Sequence, residues 1–85
     1  MMEQRSVARY SADARLDITR AHCPMTYVRV RLALDRMQAG EVLLVLLAGD
    51  EPTRNVPKTA LEQGHCVLDQ VAGPDGVTQL WLRKG

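Results

Sequence analysis

The stretch EVLLVLLA, residues 41–48, decides the fold. After Glu41 it runs to Ala48 without a polar residue. A strand wetted on one face alternates, so this run reads as a central strand. It is far too short to span a bilayer as a helix, which takes about 20 apolar residues. Toward the N-terminus, residues 24–38 carry a helical pattern. Tyr27, Val30, Ala33, Leu34 and Met37 share one face at three- and four-residue spacing, with Arg29 and Arg36 opposite. Pro24 suits a first helical turn, and Gly40 reads as a left-handed cap. Val28 and Leu32 form a second apolar strip, either a contact surface or part of a wide buried face. RLDI, 15–18, is a short strand candidate with Leu16 and Ile18 on one side and Asp17 on the other. Residues 1–14 are polar and aperiodic, and read as a flexible lead-in.

Toward the C-terminus, GDEPTRNVP (49–57) holds Gly, two Pro and Asn, and reads as a loop. A second, shorter helix is predicted from about Pro57 to Gln63, with Asn55 available as its cap and Gly64 as its stop. HCVLDQVA (65–72) is a third strand and GPDG (73–76) a turn. VTQLWLRK (77–84) is a fourth strand, alternating Val77, Gln79 and Trp81 against Thr78, Leu80 and Leu82. The order is β-α-β-α-β-β, ending in a hairpin. Helices after the first two strands favour a two-layer α+β sandwich, a sheet packed against two helices, in one domain over residues 15–85.

Composition narrows the function. The chain has 85 residues, a net charge of +1 and no Phe, so its core is aliphatic. A charge so near zero argues against direct nucleic-acid binding as the main task. Two cysteines are too few for a disulfide framework. No apolar leader precedes the first strand, and the reading is a cytoplasmic protein with reduced thiols and no membrane segment.

The chemistry centres on AHCPMT, residues 21–26. Only a thiolate is a competent nucleophile or sulfur acceptor, and an ordinary thiol with a pKa of about 8.5 is mostly protonated at neutral pH. Cys23 directly precedes a predicted helix, whose N-terminus offers unpaired N–H groups and about half a positive charge. Arg20 and His22 add nearby positive charge, and Thr26 suits a helix start. Position alone leaves a reactive thiol and a cysteine merely seated in a tight turn equally open. Cys66, with Val67 and Leu68 behind it, reads as a small core residue. His65 reads as a solvent-exposed turn residue, with a partner contact or a ligand as the alternatives. Arg29, Arg31 and Arg36 are a solvated helix side or a docking patch for an acidic partner. The two His-Cys pairs, at 22–23 and 65–66, lack zinc spacing. No metal and no cofactor are expected.

Taken together, several features resemble the TusA family of small sulfur carriers, also called SirA-like or YhhP-like. They are the LD strand (16–17), Cys-Pro before a helix, the L..M..GEVL.V pattern at 34–45, RNVP at 54–57 and GH at 64–65. The similarity runs from about Leu16 to Lys84. It implies a βαβαββ two-layer sandwich with a mixed four-stranded sheet, like the C-terminal domain of bacterial initiation factor three. It also implies that Cys23 carries a persulfide and that Pro24 sets the turn. The implied partners are a cysteine desulfurase, a rhodanese or another persulfide donor, and a downstream sulfur acceptor protein. The chain departs from the family pattern at Thr26, where a second Pro is usual, and at Arg20, where Gly is common. Ala48 and Gly49 stand where an acidic pair is common. These departures keep a second reading in view, a non-enzymatic interaction or regulatory module on the same fold.

Overall fold

The structure is a computed structural model that describes residues 12–21 and 25–85. Its elements are β1 (Ala14–Asp17), α1 (Met25–Asp35), β2 (Val42–Ala48), α2 (Asp50–Glu62), β3 (Cys66–Ala72) and β4 (Val77–Arg83). The four strands form one mixed sheet in the order β1-β2-β4-β3. β1 runs parallel to β2, with Leu16 opposite Val45, while β4 is antiparallel to both β2 and β3. The expected α+β sandwich and its mixed sheet are therefore observed. The apolar run of β2 is central, as its lack of alternation requires.

One face of the sheet meets both helices. Leu43, Val45 and Leu47 of β2 and Leu80 and Leu82 of β4 pack with Ile18, Val30 and Leu34, and with Val56 and Ala60 of α2. Tyr27, Ala33 and Met37 pack against that cluster, so the helical face read from spacing is the buried one. Val28 and Leu32 are instead 40% and 53% exposed. They are not part of a wide buried face.

The helix boundaries differ from the sequence reading. α2 begins at Asp50 rather than near Pro57, so most of the expected loop 49–57 is helical. Pro52 lies in the first turn, where a missing N–H costs nothing, and Asp50 and Glu51 put negative charge on the positive helix end. Gly49 is the N-cap; Asn55, expected to cap, stands inside the helix. Pro57 is also internal, and removes the N–H that would reach the Thr53 carbonyl. That carbonyl accepts the side-chain amide of Gln70 on β3 at 3.1 Å instead. A neighbouring strand thus satisfies the group the proline leaves open. The predicted stop at Gly64 is observed. Gly64 takes φ 89°, with Gly64 N–H donating to Leu61 O and His65 N–H to Ala60 O.

α1 ends at Asp35, three residues before the expected Gln38. Gly40 does not cap it. Gly40, at φ 92°, sits in a turn closed by Glu41 N–H donating to Gln38 O, a position that favours glycine. The end of α1 is capped from afar, where the Lys84 ammonium donates to Leu34 O at 2.7 Å. β1 starts one residue earlier than read, and Asp13 just before it is tied to β2: Asp13 N–H donates to Val42 O and Val42 N–H to Asp13 Oδ2, both at 2.8 Å.

The Gln70 contact gives a coupled prediction. Gln70→Ala is expected to lower stability by about 1 kcal/mol, and by clearly less in a Pro57→Ala background, where a backbone N–H can serve Thr53 O. Equal losses in both backgrounds, measured by denaturant unfolding, would contradict this account.

Candidate functional site

The site is assembled at the end of the sheet where β1 and β2 terminate. Ile18 N–H donates to Leu46 O at 3.0 Å and extends the parallel pairing, and its side chain is buried in the core. The chain then turns. Asp17 Oδ1 accepts the Thr19 N–H at 3.0 Å and the Thr19 hydroxyl at 2.7 Å, and Ala21 N–H donates to Ile18 O at 3.1 Å. The Thr19 backbone and side-chain bonds hold the Asp17 carboxyl below the usual range, with Arg15 and Arg20 assisting against a small burial penalty. After residues 22–24 the chain resumes at Met25, the first residue of α1. Thr26 follows, 3% exposed. Its place is interior, not on the surface.

His22, Cys23 and Pro24 lie outside the described residues. What is described is the frame on either side of them. The turn ending at Ala21 is bonded back to Ile18, and α1 is held by Thr26, Val30 and Leu34. The first turn of α1 carries no acidic residue, so no side chain of its own offsets the positive helix end.

Of the other expected site residues, Arg20 and Arg29 come together in a hollow with Asp17 and Thr19. Arg29 also borders a second hollow with Leu32 and Arg36. Around these arginines Met25, Val28 and Leu32 present an exposed apolar strip along α1. Sequence reading missed a third feature. Ala48 and Gly49 are not acidic, but Asp50 and Glu51 line a hollow with Thr19 and Ala21 at the same end. Reading 49–57 as a loop hid this. The available signal was an acidic pair ahead of a first-turn proline, followed by Val56 and Ala60 at helical spacing.

His65 belongs elsewhere. It lies between α2 and β3, at the opposite end of the sheet, and its Nδ1 accepts the Gly85 N–H at 3.0 Å. Burial, then the Lys84 charge, lower its pKa, with Asp35 opposing. Cys66 opens β3 at that same far end and is exposed, not the core residue that was read; Arg83 Nη2 donates to its Sγ at 3.7 Å. Among the described residues no three His, Cys, Asp or Glu side chains converge on a metal-sized site. Nor is any described helix long and apolar enough to cross a membrane.

A sequence profile described as Sulfurtransferase TusA matches residues 14–84. The chain belongs to the TusA family. Within it, a putative sulfur carrier protein of Archaeoglobus fulgidus is 35% identical over 68 residues, covering 79% of this chain and 77% of the relative. The sulfur carrier protein TusA of Pseudomonas entomophila is 32% identical over 72 residues, covering 85% of this chain and 89% of the relative. Among solved structures, a SirA-like protein from Desulfitobacterium hafniense superposes with a TM-score of 0.74 at 26% identity. That match covers 85% of this chain and 97% of the other. The βαβαββ sandwich is thus that of the TusA family.

The His65 bond predicts a pH effect. A lowered folded-state pKa means the unfolded chain binds the proton first, so this contribution is full above the ordinary histidine value of about 6.5 and lost as pH falls through the lower folded value. Relative to His65→Asn, which keeps an acceptor but does not titrate, the wild-type Tm should fall further on acidification through that range. A Tm difference independent of pH would contradict it.

Proposed function

We propose that this chain is a sulfur carrier that holds a persulfide on Cys23. One observation supports the reading above the rest. In a TusA-family chain, Cys23 falls in the three-residue connection between the anchored turn at Ala21 and the first turn of α1. A thiolate there would be favoured by the helix end and by Arg20, with His22 adding charge when protonated. Pro24 suits the helix entry.

In the loading step the Cys23 thiolate attacks the sulfane sulfur of a donor protein's cysteine persulfide. A bond forms between Cys23 Sγ and that sulfur. The donor's S–S bond breaks, and the donor leaves as a thiolate. The proton of the persulfide group travels with the transferred sulfur or is exchanged with solvent, so the step involves no net oxidation. Unloading repeats the exchange with an acceptor thiol as nucleophile and Cys23 as leaving group. A cysteine desulfurase or a rhodanese has the chemistry of such a donor, and the need for a free thiol suits the cytoplasm.

Transfer requires contact between proteins, and the exposed strip Met25, Val28 and Leu32, which begins two residues after Cys23 in the chain and has Arg29 and Arg36 beside it, suits a partner surface. Its basic rim suits an acidic donor or acceptor. His65, at the other end of the sheet, takes no part in that surface.

Incubation with a cysteine desulfurase and cysteine, followed by intact-mass measurement, should add the mass of one sulfur atom. The adduct should vanish in Cys23→Ser and persist in Cys66→Ser. An adduct that survives Cys23→Ser, or disappears in Cys66→Ser, would overturn the assignment.

A further inference from the structure

Asp17 is exposed, yet its carboxylate is engaged on the protein itself. Oδ1 accepts the Thr19 N–H at 3.0 Å and the Thr19 hydroxyl at 2.7 Å. Both bonds end on the residue that leads the chain out of β1. Ala21 N–H donates to Ile18 O, so residues 18–21 form a hydrogen-bonded turn with Thr19 and Arg20 at its centre. The N–H of the second residue of such a turn has no partner within it, and Asp17 accepts it here. An aspartate that bonds the backbone two residues on is a recurrent turn-builder.

Packing holds the two ends of this turn but not its middle. Ile18 is buried in the core, and Ala21 packs against that core. Between them Arg20 is exposed and Thr19 half-buried. The path through Thr19 and Arg20 is therefore set by the Asp17 bonds more than by packing. Two things depend on that path. One is where Arg20 stands; it lines a hollow with Asp17, Thr19 and Arg29. The other is the direction in which the chain leaves Ala21. Cys23 is two residues from Ala21 and two from Met25, so chain geometry keeps its Cα within roughly 7 Å of both of theirs.

Charge alone would make Asp17 an unfavourable neighbour for a thiolate. Arg15 on β1, Arg20 in the turn and Arg29 on α1 stand around it, and Asp50 and Glu51 of α2 lie at the same end of the sheet. His22 adds positive charge when protonated. A carboxylate in this group opposes a second anion. The Thr19 bonds keep it ionised at neutral pH, with Arg15 and Arg20 assisting. Whatever favours a thiolate at Cys23, the field of Asp17 does not, so its contribution has to come through placement.

We propose that Asp17 is a positioning residue for sulfur transfer: through its two bonds to Thr19 it holds the turn that carries Arg20 and leads the chain to Cys23. The inference rests on the sulfur-carrier reading, and adds to it a residue that acts through the turn rather than on the sulfur.

Two substitutions in a full-length Cys66→Ser background separate placement from field. Asp17→Asn keeps an oxygen for both Thr19 donors; Asp17→Ala removes it. Both delete the same charge, which by itself lowers the pH midpoint of Cys23 alkylation. The Asn variant should therefore titrate at or below the parent midpoint. The Ala variant should titrate above it, and its loading from a cysteine desulfurase should slow about fivefold, the factor set by one lost hydrogen bond. Circular dichroism checks that each variant is folded. Should Asp17→Ala fail to fold, Thr19→Val against Thr19→Ser makes the comparison with the charge kept: the Val variant should raise the midpoint and the Ser variant should not. The proposal is overturned if the Asn and Ala midpoints coincide, or, in the second pair, if the Val and Ser midpoints do. The carrier reading fails by a different readout, the absence of any added sulfur mass on Cys23 in the parent, whereas the alkylation midpoints need no sulfur donor.

Discussion

The parallel pairing of β1 with β2 fixes where everything else must go. Two parallel neighbours cannot be joined by a tight turn, so the chain has to leave β1 at one end of the sheet and re-enter β2 at the other. α1 is that crossover, and its N-terminus necessarily stands at the end where β1 finishes. α2 leaves β2 at the same end, so both helices begin there. The register holds this arrangement through Leu16 opposite Val45 and through the Ile18 bond to Leu46. A slip of one residue would turn Leu16 and Ile18 out of the core. The segment holding Cys23 is thus bounded by positions that core packing cannot easily shift.

The two ends of the sandwich then differ in kind. At the helix-starting end, Arg20, Arg29, Asp17, Asp50 and Glu51 surround shallow hollows, and the first turn of α1 carries no acidic residue of its own. At the other end, the chain's last residues act as a clasp. Lys84 caps α1 through Leu34 O and bonds through its backbone to Gly40 and Glu41, while Gly85 N–H meets His65. Polar groups that finish helices collect there, and His65, a contact candidate from sequence, accepts a backbone bond among them.

What could be read in the sequence was what periodicity encodes. The unbroken run of β2, the Tyr27-to-Met37 face and the alternation of β4 each matched the observed burial, because one side chain in two or in three to four meets the core. α2 escaped because only Val56 and Ala60 of its residues are buried and Pro57 stands inside it. Its integrity depends on a bond from Gln70, far along the chain, which no local pattern announces. The charge environment of the site was half legible. Arg20 beside the Cys-Pro turn was visible, but the nearness of Asp50 and Glu51 followed only once α2 began at residue 50.

The most direct test of the central claim is the pH dependence of Cys23 alkylation in a Cys66→Ser background. On the proposed reading, in which the Cys23 thiolate is favoured by the start of α1 and by Arg20, reaction should proceed as a thiolate with a midpoint clearly below the ordinary thiol value of about 8.5. The midpoint should rise toward that value in Arg20→Ala. A midpoint at or above 8.5 in the parent, with a rate no greater than that of a small-molecule thiol, would contradict the account.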